Sequence, residues 1–302
     1  MNESDDKIKI LQNTLDILKK GYYRKHGKKK KLKLSRERME EAYVLLPDEV
    51  KKYSNVSDFK PVVVFGGKCK YGCEKMDSFS LTRKIYKDYA DLFDKNDTIL
   101  VLNLANPVNP GGGARYGAKA QEEDLCRKSS LLVSLESQAA SSYYKYNKQL
   151  DTYMGSDAII FSPYVEIIRD DNNELLDESV VCSVITCAAP MILKGKEGMS
   201  QAEYENMIYN RIMGMLKCSA YFGYKNLVLG AWGCGAFGND AHIISDLFYK
   251  AINTLNYNGY NCNKLFRRID FAVLSNDKEQ YNYKEFYRNF NSEKEYQSKL
   301  KG

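Results

Sequence analysis

The sequence has 302 residues, with 45 Lys or Arg against 39 Asp or Glu, for a formal net charge of +6 at pH 7. A hydrophobic fraction of 44% is enough to bury a core, which excludes a wholly disordered chain. No stretch reaches the roughly 18–20 apolar residues of a membrane-spanning helix, and the N-terminus lacks the apolar region of a secretory signal. We therefore expect a cytoplasmic protein with one large α/β domain or two small ones.

The N-terminal segment carries the whole excess of positive charge. Residues 6–20 place apolar side chains at helical spacing, and residues 35–46 are typical of a second short helix. A basic run begins between these two helices and extends into the second, and nine of its fifteen residues from Arg24 to Arg38 are Lys or Arg. Residues 1–60 hold 16 basic and 10 acidic groups, whereas residues 61–302 hold 29 of each. We predict a basic helical extension over 1–60, packed on a main domain over 61–302.

The rest of the chain alternates apolar, β-branched runs with helical patterns. This alternation predicts a mostly parallel sheet with helices on both faces, a three-layer α/β sandwich. The predicted strands are Pro61–Phe65, Thr98–Leu104, Asp157–Ser162, Ser179–Ala189, Asn226–Leu229 and Ile269–Leu274. The predicted helices are Ser80–Phe93, Glu122–Tyr144, Gln201–Phe222 and Ala241–Asn256.

The cysteines and histidines do not favour a metal or disulfide framework. The eight cysteines include no CxxC pair, and no second pair with zinc-like spacing accompanies Cys69 and Cys73. His26 and His242 are the two histidines, too few for a multi-histidine site. We expect reduced thiols, no metal, no organic cofactor, and acid–base chemistry performed by carboxylates.

A first glycine-rich loop follows the predicted strand Thr98–Leu104. Three consecutive glycines, Gly111–Gly113, allow a backbone to lie flush against a ligand, and the helix after them starts with adjacent carboxylates. Neither GxGxxG nor GxxxxGK[ST] is present, so a Rossmann dinucleotide site or a P-loop is not supported. Taken alone, the run equally fits a flexible turn before a helix.

A second glycine-rich loop, Gly230–Asp240, follows the strand Asn226–Leu229. Its alternating glycines allow successive backbone N–H groups to converge on an anion, and Asn239 or Asp240 can cap the next helix. Strand, glycine loop and helix together form a geometry that holds phosphates. The alternative is a tight turn that places Trp232 and Phe237 in the core.

The two loops together resemble the signature of microbial-type poly(ADP-ribose) glycohydrolases. NPGGG is followed by the seven residues 114–120 and then by Gln121-Glu122-Glu123. GAWGCGAFGND at 230–240 is similar to the family's diphosphate loop, and SVITCAAP at 183–190 is similar to one of its strands. The N-terminal LQNTLDILKKGYY resembles the helix that opens the family's extension, so the resemblance covers nearly the whole chain. The sequence departs from the family pattern in two places. Asn106 and Pro107 stand where many relatives have small residues, and the basic run Arg24–Arg38 is the second departure.

The resemblance implies a fold and an activity. The fold is a three-layer α/β/α macrodomain with a mixed, mostly parallel central sheet and an N-terminal helical extension. The activity is hydrolysis of the ribose–ribose bond of poly(ADP-ribose), acting from the chain end and releasing ADP-ribose. Glu123 would be the catalytic acid and base, through an oxocarbenium-like transition state, and Glu122 would position the ribose hydroxyls. Adjacent residues in a helix point about 100° apart, which agrees with two separate roles.

The substrate contacts implied by the two loops form one set. Backbone groups of the second loop would hold the diphosphate, the three glycines of the first would pack against the ribose, and Asn106 would bind the distal ribose. The candidates are Asn106, Gly111, Gly112, Gly113, Gln121, Gly233, Cys234, Gly235, Ala236, Phe237 and Asn239.

Three other readings remain open. A macrodomain that only binds ADP-ribose would need the second loop but not the adjacent glutamates. A hydrolase of single ADP-ribose units on proteins would use the same motifs. The basic run Arg24–Arg38 is compatible with nonspecific nucleic-acid affinity, with contact to the polymer's outer diphosphates, or with an ordinary solvated surface.

Overall fold

The computed structural model describes residues 3–90, 97–274 and 280–291. The strands are β1 Tyr22–Lys25, β2 Lys28–Lys31, β3 Tyr43–Leu45, β4 Lys70–Glu74, β5 Ile99–Leu104, β6 Ile159–Arg169, β7 Leu175–Cys187, β8 Asn226–Gly230, β9 Asn256–Tyr257, β10 Tyr260–Asn261 and β11 Arg268–Ala272. The helices are α1 Glu3–Lys20, α2 Arg36–Met39, α3 Pro47–Tyr53, α4 Ser78–Asp88, α5 Gln121–Lys128, α6 Leu131–Leu135, α7 Ser141–Lys148, α8 Gln201–Tyr221, α9 Ala241–Thr254, α10 Cys262–Leu265 and α11 Tyr281–Phe290, with a 3-10 turn at Ala114–Tyr116.

Seven strands form the central sheet in the order β3-β6-β7-β5-β8-β11-β4. The five strands from β7 to β4 are parallel, whereas β6 runs antiparallel to β7 and β3 antiparallel to β6. The parallel strands are apolar on both faces because helices cover both. In β5, Leu100 and Leu102 pack toward α3, α8, α9 and α11, while Ile99 and Val101 pack toward α1 and α4–α7. The predicted three-layer α/β/α architecture with a mixed, mostly parallel sheet is confirmed.

The prediction of a strand at Pro61–Phe65 is wrong. This segment has no regular structure, and its valines are exposed, with Val62 retaining 88% of its accessible surface. The sheet strand of this region is β4, which follows at Lys70–Glu74. No strand of the described sheet pairs with this segment, whose Phe65 N–H donates to the carbonyl of Lys264 at 3.2 Å, so composition alone misplaced the element.

Two predicted helices are also divided differently. The segment 35–46 forms α2 and then β3, which pairs with β6 at the edge of the sheet. The pattern over Glu122–Tyr144 is split into α5, α6 and α7, and Ser129 at the first break bridges to Ile167 of β6. The predicted helix Ser80–Phe93 corresponds to α4, and its last three residues lie outside the described part of the chain.

The N-terminal helix is confirmed, and it packs on the body of the protein. The side of α1 that carries Leu11 is buried against α5 and the 3-10 turn. The Thr14 hydroxyl donates to the carbonyl of Arg127, 2.7 Å away, at the end of α5. Among the described helices, none is long and apolar enough to cross a membrane.

Candidate active site

The start of α5 is fixed to the carboxyl end of β5 by Gln121. Its Oε1 accepts the N–H of Leu104 at 2.9 Å, and its Nε2 donates to the carbonyl of Leu102 at 2.7 Å and to Ser78 Oγ at 3.1 Å. The side chain thus bridges β5, α5 and α4. This brings the two glutamates that follow it to the end of the sheet, where α/β proteins bind ligands.

Glu122 is buried and held by several N–H groups. Its Oε2 accepts the backbone N–H of Asn106 at 2.7 Å, and its Oε1 accepts Asn103 Nδ2 at 3.2 Å. Burial raises the pKa of Glu122 to about 8, since desolvation outweighs these N–H donors and the nearby Glu123 charge adds to the rise. The raised pKa favours the protonated form of Glu122 near neutral pH.

Glu123 points in a different direction from Glu122, and the described residues supply a hydrogen-bond partner to one of its two oxygens. Its Oε1 accepts the N–H of Gly113 at 2.9 Å, whereas its Oε2 is buried and has no hydrogen-bond partner among the described residues. The side chain is 8% exposed and lines the cleft. The separate directions of Glu122 and Glu123 expected from helix geometry are thus seen in their different hydrogen-bond partners.

The glycine run wraps around these carboxylates. Gly112 has φ +56°, and a Cβ there would overlap Glu123 Oε1 and lie 3.2 Å from Glu122 Oε2. Gly111 has φ +69°, and its Cβ would lie 2.6 Å from Leu132. Both the backbone conformation and the lack of space therefore require glycine. Asn106 completes the loop, because its Oδ1 accepts the N–H groups of Val108 and Asn109.

Two buried side chains shape the second loop from below. Trp232 is fully buried and donates its indole N–H to the carbonyl of Cys187 at 2.9 Å. Asn239 Nδ2 donates to the carbonyls of Pro190 at 2.8 Å and Gly233 at 2.9 Å, and its Oδ1 accepts the hydroxyl of Tyr204. Asn239 is thus fully engaged inside the protein, and it fixes the two ends of the loop.

The tip of this loop carries backbone N–H groups that are available to bind a ligand. The N–H groups of Gly235, Ala236 and Phe237 have no acceptor in the described part of the chain, whereas that of Cys234 donates to Ala231 within the turn. The free groups are consecutive, as an anion-binding loop requires. Asp240 caps α9 through His242 N at 2.9 Å, one of the two caps predicted.

A cleft of about 930 Å³ joins the two loops. It is lined by Asn106, Gln121, Glu122 and Glu123 from the first loop and helix, and by Gly233, Gly235, Ala236 and Phe237 from the second. Asp77 and Asp124 also line it, and both lie near Lys128 Nζ, at 3.7 Å and 2.7 Å respectively. The two predicted loops are therefore parts of one site.

Sequence reasoning missed the residues that support the site from below. Asn103 is a polar residue in the otherwise apolar run of β5, and that interruption was a usable signal. Tyr204 and Thr186 carried no such signal, because only folding brings them to the loops. No group of three or more His, Cys, Asp or Glu within residues 3–90, 97–274 and 280–291 is arranged to hold a metal.

The architecture and this cleft define an α/β/α protein with the poly(ADP-ribose) glycohydrolase fold. A crystal structure of poly(ADP-ribose) glycohydrolase from Thermomonospora curvata matches with a TM-score of 0.84 and 26% identity, covering 95% of this chain and 100% of that chain. The same enzyme bound to the inhibitor ADP-HPD matches with a TM-score of 0.81 and 25% identity, at the same coverage. The Deinococcus radiodurans enzyme in complex with ADP-ribose gives 0.71 and 29%, covering 85% of this chain and 97% of that chain.

The family follows from a sequence model. The model of the microbial-type PARG catalytic domain matches residues 11–170, more than half of the chain. The chain therefore belongs to the microbial-type poly(ADP-ribose) glycohydrolase family. No match was found among curated protein sequences.

Proposed function

We propose that this protein is a poly(ADP-ribose) glycohydrolase that hydrolyses the ribose–ribose bond and releases ADP-ribose. Family membership and the similarity to inhibitor-bound and ADP-ribose-bound glycohydrolase structures support this assignment. The observation that carries the chemistry is Glu123 Oε2, a shielded carboxyl oxygen with no partner among the described residues, lining the cleft. Without substrate such an oxygen is costly to bury, which is typical of a group that functions only when a ligand arrives.

Glu123 acts as the acid and then as the base. Gly113 N–H holds Oε1, so Oε2 is the oxygen that delivers a proton to the departing ribose oxygen. The C–O bond breaks with its electron pair leaving on that oxygen, and an oxocarbenium-like centre forms on the terminal ribose. Water adds to this centre and returns a proton to the Glu123 carboxylate.

Glu122 positions the terminal ribose. A carboxyl group held by Asn103 and Asn106 has a fixed orientation, and its raised pKa keeps it protonated, so that it can donate as well as accept hydrogen bonds to the ribose hydroxyls. Asn106, which lines the cleft, borders the same ribose. Gly111, Gly112 and Gly113, which we predicted as ribose contacts, are not among the lining residues, so we assign them to holding the two carboxyl groups in place.

The second loop binds the diphosphate through its free N–H groups. Gly235, Ala236 and Phe237 provide the consecutive donors, and the Phe237 ring contacts the adjacent ribose. Cys234 and Gly233 shape the turn from which these donors project. Asn239 and Gln121, which we predicted as substrate contacts, have their side chains engaged within the protein, so we assign them positioning roles.

Three finer points accompany the proposal. The enzyme cleaves the polymer from its chain end. Its catalytic domain is a macrodomain-type domain over 61–302, and the segment 1–60 packs on that domain. Its substrates are the polymer or ADP-ribosylated protein. The cytoplasm is the proposed compartment, and the eight unpaired cysteines are ordinary for it.

The test is the release of free ADP-ribose from purified polymer. Wild-type protein should release it, and Glu123→Gln should lower the rate by about 10²–10⁴-fold, the range typical of losing a general acid or base. ADP-ribose binding by this variant, measured by calorimetry, should persist. Glu40→Gln, at an exposed position on the protein surface, serves as the matched control. Wild-type turnover by Glu123→Gln would contradict the assignment.

The same assay separates the other readings. A protein that only binds ADP-ribose would give no product, and a hydrolase of single units would act on mono-modified protein but not on polymer. Internal cleavage would yield oligomers rather than ADP-ribose.

A further inference from the structure

The basic run folds into a β-hairpin with a distinct outward face. β1 and β2 pair antiparallel, with Tyr23 opposite Lys30 and Arg24 opposite Lys29. The turn residues His26 and Gly27 have φ of +49° and +74°, as in a type I′ hairpin turn. Side chains alternate along each strand, and Tyr23 is buried. The opposite face therefore presents Tyr22, Arg24, Lys29 and Lys31 to solvent.

The cations of this outward face, Arg24, Lys29 and Lys31, have no carboxylate partner within ion-pair distance in the described part of the chain. Lys29 Nζ instead lies over the ring of Tyr22, 4.0 Å from the ring centre. Arg24 stands directly opposite Lys29, an arrangement of like charges that destabilises a hairpin. Folding alone gives no reason for this arrangement, whereas a bound polyanion does.

The inner side of the hairpin is, in contrast, firmly attached. The Tyr23 hydroxyl donates to the carbonyl of Leu176 at 2.9 Å. Just beyond β2, buried Glu166 accepts the backbone N–H groups of Lys33 at 2.8 Å and Leu34 at 3.0 Å. Because these bonds fix the hairpin to β6 and β7, its outward cations form a preorganised surface rather than a loose tail.

Helix α1 connects this surface to the cleft. Its N-terminal Glu3 forms an ion pair with Lys119, which lines the cleft, and a Cβ at Gly117 would lie 2.6 Å from Ser4 O. The hairpin follows the other end of the helix, which at 1.5 Å per residue lies about 27 Å away. The start of α1 therefore borders the cleft, and a polymer that leaves the cleft along α1 reaches the hairpin.

We propose that the outward face of the β1–β2 hairpin binds diphosphates of the polymer units that lie outside the cleft. This inference rests on the proposed function, and it makes the hairpin a length sensor for substrate. Long polymer contacts both the cleft and the hairpin, whereas a polymer of two units leaves a single unit outside the cleft and depends on the cleft alone.

The test compares Arg24→Gln/Lys29→Gln/Lys31→Gln with the control Lys145→Gln/Lys148→Gln/Lys250→Gln, which removes the same charge from exposed helix surfaces. Binding to long polymer is measured by fluorescence polarisation in the inactive Glu123→Gln background, over a range of salt concentrations. The hairpin variant should bind long polymer about tenfold more weakly at low salt, with a salt slope shallower by about 2. Its affinity for ADP-ribose should equal that of the Glu123→Gln parent. With Glu123 restored, its rate on a two-unit substrate should equal that of wild-type protein. Its unfolding midpoint should be unchanged or higher, because like charges are removed.

Each other outcome has a defined meaning. If wild-type protein cleaves polymer but the hairpin variant keeps its affinity and salt slope for long polymer, the inference is overturned and the proposed function stands. The inference is also overturned, and the proposed function again stands, if the variant loses binding only to single-stranded DNA of equal phosphate number. That result would make the hairpin a nucleic-acid-binding surface. Absence of any polymer cleavage by wild-type protein would overturn the proposed function together with the inference.

Discussion

Asn103 Nδ2 lies 3.2 Å from Glu122 Oε1 and also 3.2 Å from Thr186 Oγ1. Asn103 and Thr186 are register partners on the neighbouring strands β5 and β7, so the sheet itself holds the donor that orients the carboxyl group. Asn103 is fully buried and is not itself one of the residues that line the cleft. Its effect on the reaction therefore passes through Glu122.

Asn103→Leu should weaken catalysis through this contact. Leucine has a similar volume but donates no hydrogen bond, so Glu122 loses an N–H that stabilises its charged form, and its pKa should rise further. An unmade buried hydrogen bond costs about 1–3 kcal/mol. We expect a lower kcat and a displaced pH profile of kcat/KM on polymer. An activity loss with an unchanged pH profile would indicate a merely structural role.

Glu122 also makes stability depend on pH. The folded protein holds the Glu122 proton up to about pH 8, whereas the unfolded chain releases it near the ordinary pKa of 4.5. Folding therefore takes up a proton between these values, and the free energy of unfolding falls as the pH rises, by at most about 1.4 kcal/mol per pH unit from this group. Glu122→Gln removes this contribution, because glutamine mimics the protonated form.

Urea unfolding at about pH 6 and about pH 8 measures the effect. The stability of Glu122→Gln relative to wild type should increase by about 1–3 kcal/mol from the lower to the higher pH. Other titrating groups are common to both proteins and cancel in the difference. Parallel pH curves for the two proteins would show that Glu122 ionises normally in the fold.

Gly112→Ala should displace the catalytic carboxyl group. The new Cβ would overlap Glu123 Oε1, and the left-handed backbone at φ +56° adds about 1–2 kcal/mol of strain for an L-residue. Gly223→Ala is the matched control, since Gly223 has φ +81° but nothing within 4 Å of the added Cβ. Both variants should lose stability through backbone strain, Gly112→Ala more because of the overlap, yet Gly112→Ala alone should lose at least about tenfold in kcat. Equal activities would mean that Glu123 does not require this geometry.

Asn239→Ala should loosen the diphosphate loop without touching the ligand. The Pro190 carbonyl loses its side-chain donor, the Gly233 carbonyl keeps only the backbone N–H of residue 239, and the free N–H groups of the loop lose their fixed orientation. We expect ADP-ribose to bind about tenfold more weakly by calorimetry, the equivalent of roughly 1.4 kcal/mol. Asn253→Ala, which removes an exposed side-chain amide that donates to the Tyr249 carbonyl, should leave binding unchanged. Unaltered affinity in Asn239→Ala would remove it from the positioning residues.

The sequence predicted the two loops well because their signals are local. The glycine run, Glu122 and Glu123 all lie in the segment that connects β5 to α5, so this short connection alone brings them to the end of β5. The second loop connects β8 to α9 in the same way. The sequence predicted the secondary structure of residues 35–46 and 61–65 poorly. β3 forms because β6 offers it an edge to pair with, whereas no described strand lies beside Val62, which remains exposed.

By itself, the sequence determined the layered α/β class, the order of the loops, and the residue types able to supply acid–base chemistry and backbone donors, since these depend on periodicity and on side-chain identity. Only the tertiary structure decided which oxygen of Glu123 is free, that Asn103 holds Glu122, and that Asn239 supports its loop from within. It also decided that the basic run is a fixed hairpin joined to the cleft by α1. These are contacts between residues far apart in the chain, and their distances and burial arise only when the sheet brings the ends of β5, β7 and β8 together.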